Sequence, residues 1–129
     1  MLFGKRPKKP KLLILEDDAL LIQMVSKRFH DEGFDVTALM SGTEALGTAK
    51  KILPDIILMN LILPGLDGFA VLKQLKADSK TKRIPVVVMS ELEQAADAKS
   101  AKALGAEAYF LKTHTEFDKI VEAIKKRVK

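Results

Sequence analysis

From residue 11 the chain alternates between two hydrophobic patterns. Lys11-Leu-Leu-Ile-Leu-Glu16 is an apolar run without polar interruption, the signature of a strand buried on both faces. Residues 19–30 follow with Leu20, Leu21, Met24, Val25 and Phe29 at helical spacing, and Gly33 ends that helix. Phe34 to Leu39 reads as a second strand. Ser41-Gly-Thr-Glu44 has the form of a capping box, which predicts a helix from there to about Ile52, stopped by Pro54. Asp55-Ile-Ile-Leu-Met-Asn60 is a third buried strand, and Asp67 caps a helix carrying Phe69, Val71, Leu72 and Leu75. Ile84-Pro-Val-Val-Val-Met-Ser90 is a fourth strand and the most β-branched. Residues 93–104 form an alanine-rich, weakly amphipathic helix that Gly105 ends, and Glu107 to Lys112 is a fifth strand. Thr115-Glu-Phe-Asp118 is another capping box. It opens a last helix with Phe117, Ile120, Val121, Ile124 and Val128 on one face. Met24, Met40, Met59 and Met89 are expected to fill core gaps.

Five buried strands, each followed by an amphipathic helix, imply an α/β fold with a parallel sheet covered on both faces. Right-handed crossovers leave few topologies. The expected one is a flavodoxin-like, doubly wound sheet of order 2-1-3-4-5. The 129 residues suit one domain. Residues 1–10, with Pro7 and Pro10 among four bases, read as a flexible basic arm, and 11–129 as the single domain.

Charge changes the picture in one respect. The net charge is +5, yet nine of the 22 basic residues lie in 1–11 and 125–129. All 17 acids lie between them with 13 bases, so the body is −4 and the ends together +9. In this topology the first strand begins, and the last helix ends, on the face away from the crevice at the strand C-termini. Both basic ends should therefore meet there. A basic end alone would suit nucleic acid, but only Phe3 is interleaved and no reading helix is apparent, so a solvated basic tail is the expectation. With no cysteine, disulfides, thiolate metal sites and cysteine nucleophiles are excluded. No apolar run reaches the ~20 residues of a membrane span. A secretory signal places its charges before its apolar stretch, whereas here Met1, Leu2 and Phe3 come before the bases, so none is expected and a cytoplasmic setting is.

The strand ends carry the chemistry. The first runs into Glu16-Asp17-Asp18, the third ends at Asn60, the fourth at Ser90 and the fifth at Lys112. In the expected order these ends surround one crevice. Clustered acids there suit a hard divalent cation with oxygen ligands, and a lysine and a hydroxyl can hold phosphoryl oxygens. Asp18 reads as a helix cap and the two histidines, His30 and His114, as surface residues.

At these residues the sequence resembles the receiver domain of two-component response regulators. The resemblance spans residues 11–128. It rests on the Glu16-Asp17-Asp18 strand end, on Pro54 through Asn60 to Pro64-Gly-Leu-Asp67-Gly68-Phe, on the strand to Ser90, and on Gly105-Ala-Glu-Ala-Tyr109-Phe-Leu-Lys112. It implies that Glu16 and Asp17, with the backbone carbonyl of Ile62, hold Mg²⁺. It implies that Ser90 and Lys112 contact the phosphoryl group and that Ser90 and Tyr109 act as the switch. The family's phosphoacceptor is an aspartate; here the position is Asn60. An amide is neutral and its nitrogen lone pair is delocalised, so no aspartyl phosphate can form on it. The metal site also drops from three carboxylates to two, which implies weakened Mg²⁺ binding at Glu16, Asp17, Asn60 and Ile62. Two origins of Asn60 stay open: a natural pseudo-receiver, or an engineered substitution that traps the unphosphorylated state.

Two further departures bear on the pocket. Glu91 stands after Ser90 where the family usually has a small residue, and its charge opposes a phosphodonor. Thr113 stands after Lys112 where the family usually has a proline, often cis. A cis bond to a non-proline residue costs ~3–4 kcal/mol, so the bond is expected to be trans.

The expected role is a single-domain signalling module rather than an enzyme. The resemblance implies docking to a sensor histidine kinase or phosphotransfer protein, and to a downstream target, through the first, fourth and fifth helices. A homodimer is a further possibility. Alternatives are a phosphorylation-independent docking scaffold and a nucleic-acid module using the basic ends. A dehalogenase-type transferase fails because Asp17-Asp18-Ala19 is not Asp-x-Asp. A flavin carrier fails because its phosphate loop would be acidic here.

Overall fold

A computed structural model describes residues 8–128; the greater part of the N-terminal arm lies outside the described residues. The chain runs β1 (Lys11–Leu15), α1 (Ala19–Asp31), β2 (Asp35–Leu39), a 3₁₀ turn (Gly42–Glu44), α2 (Ala45–Ile52) and β3 (Ile56–Met59). It continues through α3 (Gly68–Ala77), β4 (Val86–Ser90), α4 (Ala95–Ala103), β5 (Ala108–Leu111) and α5 (Phe117–Arg127). The five strands form one flavodoxin-like parallel sheet of order β2-β1-β3-β4-β5.

The uninterrupted apolar runs follow from the two-residue period of a strand. Leu13, Leu15, Ile57, Met59, Val86 and Val88 point to one face, where they meet Ala45 and Ala49 of α2, Val71, Leu72 and Leu75 of α3, and Ala101 of α4. Their neighbours Leu12, Ile14, Ile56, Leu58, Val87 and Met89 point to the other, against Val25 and Phe29 of α1 and Ile120, Val121 and Ile124 of α5. Phe29 stands edge-on to both Phe34 and Phe117, with centroids 5.2 and 6.3 Å away. Outside this core Arg28 pairs with Glu32 and Asp118, and Lys125 with Glu32, tying α1 to α5. The Lys125 and Arg28 hydrogen bonds hold the Glu32 carboxyl below the usual range.

The ends of the elements follow local chemistry. Asp18 and Asp67 cap α1 and α3 by accepting backbone N–H bonds. Gly33 and Gly105 close α1 and α4 at φ of 91° and 110°, a region open to glycine. Two expectations are corrected. Ser41 caps the 3₁₀ turn through Thr43 N–H, and α2 proper starts at Ala45. The residue capping α5 is Glu116, without a side-chain cap bond; Thr115 belongs to the preceding turn, its N–H bonded to Leu111. Met24 and Met40 are also exposed rather than core, while Met59 and Met89 are buried. α1 turns Leu21, Val25 and Phe29 to the sheet. Leu20 and Met24 form an i,i+4 pair beside that stripe and face solvent.

The basic ends meet as the topology requires. Lys8, Lys9, Lys11 and Val128 line one cleft, so the start of β1 and the end of α5 share the face remote from the strand C-termini. Among the described residues no helix is long and apolar enough to cross a membrane.

Candidate functional site

The parallel register brings four strand ends side by side. Leu15 pairs with Met59, Met59 with Val88, and Ser90 with Leu111. Glu16, Asn60, Ser90 and Lys112 therefore stand in one row at the C-terminal edge. Glu16 and Asn60 are almost wholly buried, at 2% and 3% exposure, and Ser90 is fully buried. Asp17 and Asp18 turn outward at the rim.

Asn60 is closed upon its own loop. Its Nδ2 donates to the Ile62 carbonyl at 3.1 Å, and its Oδ1 accepts from Ile62 N–H at 3.3 Å. Only Nδ2 can donate and only Oδ1 can accept, so the two bonds fix which way the amide faces. The carbonyl that the resemblance assigns to a metal is thus already engaged by the amide. An aspartate could not donate this bond.

Lys112 faces two carboxylates. Its Nζ lies 2.7 Å from Glu16 Oε1 and 3.7 Å from Glu91 Oε1. The 2.7 Å contact is an ion pair, and Oε1 is buried with no hydrogen-bond partner among the described residues. Glu16 Oε2 accepts from Asp18 N–H at 3.0 Å. Glu91 is exposed and adds a second negative charge at the lysine. The Lys112–Thr113 bond is trans, as expected.

Ser90 and Tyr109, the residues that the resemblance assigns to the switch, converge on a residue that the sequence did not single out. Ser90 Oγ accepts from Leu92 N–H at 3.1 Å, and Tyr109 Oη donates to the Leu92 carbonyl at 2.8 Å. Both polar side chains grip the backbone of one residue, in the two successive peptides that flank it, in the loop after β4. The groups gripped are backbone, which no residue pattern reveals. On the outside of the same loop, His114 and Glu93 meet at 2.9 Å.

The donor set can be tested against Mg²⁺. Glu16 Oε1 is a buried carboxylate oxygen without a hydrogen bond, and Asp17 stands next to it in the chain. Mg²⁺ is held by one or two carboxylates and keeps several waters, so the residues fit. They are a small set: among the described residues no three His, Asp or Glu side chains form a metal-binding group.

The floor beneath Asn60 is tight. A Cβ on Gly68 would collide with Leu61 Cα and lie 2.8 Å from the Asn60 carbonyl oxygen. Gly68 N–H also donates to Leu61 O at 2.7 Å. Gly68→Ala is therefore expected to cost ~1–3 kcal/mol through overpacking and to move the Asn60–Ile62 loop. Urea unfolding reads the first effect and the Asn60 side-chain amide resonances read the second.

Comparison with known proteins agrees with this geometry. The chain is 33% identical over 104 residues to the DNA-binding response regulator MtrA of Mycolicibacterium paratuberculosis, covering 81% of this chain and 45% of that protein. It thus spans less than half the length of this relative. Among solved structures, the receiver domain of the Francisella response regulator 1452 superposes with a TM-score of 0.85 at 26% identity, covering 93% of this chain and 97% of that one. The receiver domain of the Pseudomonas aeruginosa sensor histidine kinase PA1611, solved with a magnesium ion in its active-site cleft, has the same fold. Its TM-score is 0.83 at 21% identity, covering 93% of this chain and 98% of that one. The response regulator receiver domain family matches residues 12–125, nearly the whole described chain, and the protein belongs to that family.

Proposed function

We propose that the chain is a receiver module of a two-component relay that takes part in signalling without forming an aspartyl phosphate. The observation that carries this reading is the closed Asn60–Ile62 pair. The acceptor position offers a neutral amide whose oxygen and nitrogen are both occupied by its own loop. Lys112 holds Glu16 in place of a charged acceptor. Ser90 holds Leu92 N–H, which keeps the loop after β4 in one arrangement.

Glu16, Asp17, Asn60 Oδ1 and the Ile62 carbonyl would hold Mg²⁺. A bound divalent ion there supplies positive charge for phosphoryl oxygens. Its binding is weakened in this chain because Asn60 contributes no charge and its Nδ2 occupies the Ile62 carbonyl. Lys112 competes for the Glu16 carboxylate. The setting is cytoplasmic, and residues 11–129 act as one domain.

Docking rests on the rim. Leu20 and Met24 on α1 are 77% and 54% exposed, and Ile62 is half exposed in the loop after β3. These apolar groups suit a helical partner such as a histidine kinase or phosphotransfer protein, which would bind without exchanging phosphate. A downstream protein target is the second partner.

Intact-mass spectrometry with Mg²⁺ and a small-molecule acyl phosphate tests the chemical half of this reading. The expected result is no added phosphoryl group. A phosphoryl adduct on this chain would overturn it and point to another acceptor.

A further inference from the structure

β2 is the outer strand of the sheet on the side of α1 and α2. Asp35 N–H donates to Pro10 O, and Leu39 O accepts from Glu16 N–H. In a parallel ladder, groups facing a given neighbour alternate along the strand. Asp35, Thr37 and Leu39 therefore bond to β1, and the N–H and C=O groups of Val36 and Ala38 face outward at the free edge. Such an edge is a template for one more strand.

A groove of about 850 Å³ runs along this edge. The groove is lined by Phe34, Val36 and Ala38 on its apolar side and by His30 at the end of α1. Lys8, Lys9 and Lys11 also line it, against a single acid, Asp35. A second groove on the other side of β2 adds Lys51. Except for Lys51, these bases stand on β1 and the segment before it, so they flank the edge without blocking it.

We propose that the free edge of β2 takes up an extended, acidic segment of a partner protein as a sixth strand. The outward groups of Val36 and Ala38 supply the backbone pairing. Lys8, Lys9, Lys11 and Lys51 supply complementary charge for glutamate or aspartate side chains. A second copy of this chain is disfavoured there, since two edges with the same basic rim repel. A nucleic acid matches the charge but not the backbone pairing, and Phe34 is buried and offers no stacking surface. The lysine-lined end of this surface lies at the strand N-termini, away from the Asn60 crevice at the strand C-termini.

The test is hydrogen exchange of the full ¹⁵N-labelled chain with a capped peptide alternating glutamate and valine. At saturation the Val36 and Ala38 amides are expected to slow by about tenfold or more, as for protected ladder amides. Lys8→Glu with Lys9→Glu is expected to weaken peptide binding about tenfold at low salt. Val36→Pro removes one outward donor at a position where an edge strand tolerates proline, and is expected to abolish the Ala38 protection. Unchanged exchange at Val36 and Ala38 at millimolar peptide overturns the proposal. So does an oligothymidylate that binds more tightly than the peptide and retains its affinity in Val36→Pro.

Discussion

Asn60→Asp is expected to turn a chain that stays at its own mass, in the presence of Mg²⁺ and an acyl phosphate, into one that gains a phosphoryl group. A carboxylate oxygen brings the negative charge, and with it the nucleophilicity, that a neutral amide lacks. The substitution also removes the Nδ2 donor and so frees the Ile62 carbonyl. It adds a third carboxylate beside Glu16 and Asp17, where charges 4 Å apart interact by ~4 kcal/mol at an effective dielectric near 20. The variant should therefore melt lower than the parent without Mg²⁺ and regain part of the loss with it. Identical melting curves under both conditions would contradict this account. A variant that responds to Mg²⁺ yet gains no phosphoryl group would assign the block to Glu91 or Thr113 instead.

The second large effect is expected at Lys112. Glu16 is buried, and among the described residues its Oε1 has only the lysine ammonium for compensation. Removing one member of a buried pair strands the other charge and costs ~3–5 kcal/mol. Lys112→Met keeps most of the side-chain volume, so the loss measures charge rather than packing. Adding Glu16→Gln to the same chain should recover most of it. Mg²⁺ should also stabilise Lys112→Met by more than it stabilises the parent, because the ion then meets no competitor at Glu16. Urea unfolding of the three proteins, with and without Mg²⁺, settles both points. Parent-like stability of Lys112→Met would show that Glu91 and solvent already neutralise Glu16.

The sheet was legible because its strands are short apolar runs set between helical repeats, and because buried parallel strands admit few connections. The same reasoning placed Glu16, Asn60, Ser90 and Lys112 at adjacent strand ends without any knowledge of side-chain positions. It failed where a decision depended on a single turn. At the start of α5, Thr115-Glu-Phe-Asp118 satisfies the capping pattern, yet the chain turns one residue later. On α1, Leu20 and Met24 share helical spacing with true core residues but lie just beyond the stripe the sheet covers. Within the site the legible part was composition. The closure of Asn60 on Ile62, the capture of Lys112 by Glu16 and the grip of Ser90 and Tyr109 on Leu92 depend on rotamers and backbone groups. Residue order encodes these only through the finished fold.

The separation of charge along the molecule gives it a permanent electric axis. Lys8, Lys9, Lys11, Lys125, Lys126 and Arg127 gather near the start of β1 and the end of α5, whereas Glu16, Asp17, Asp18, Glu91 and Glu93 surround the opposite end. A negatively charged surface therefore exerts a torque as well as an attraction. It turns the molecule so that the lysines lead and the acidic mouth trails into open solvent. Immobilised on such a surface, the protein presents its crevice outward and hides the lysine-lined start of β1, a bias that fades as salt shortens the reach of the field.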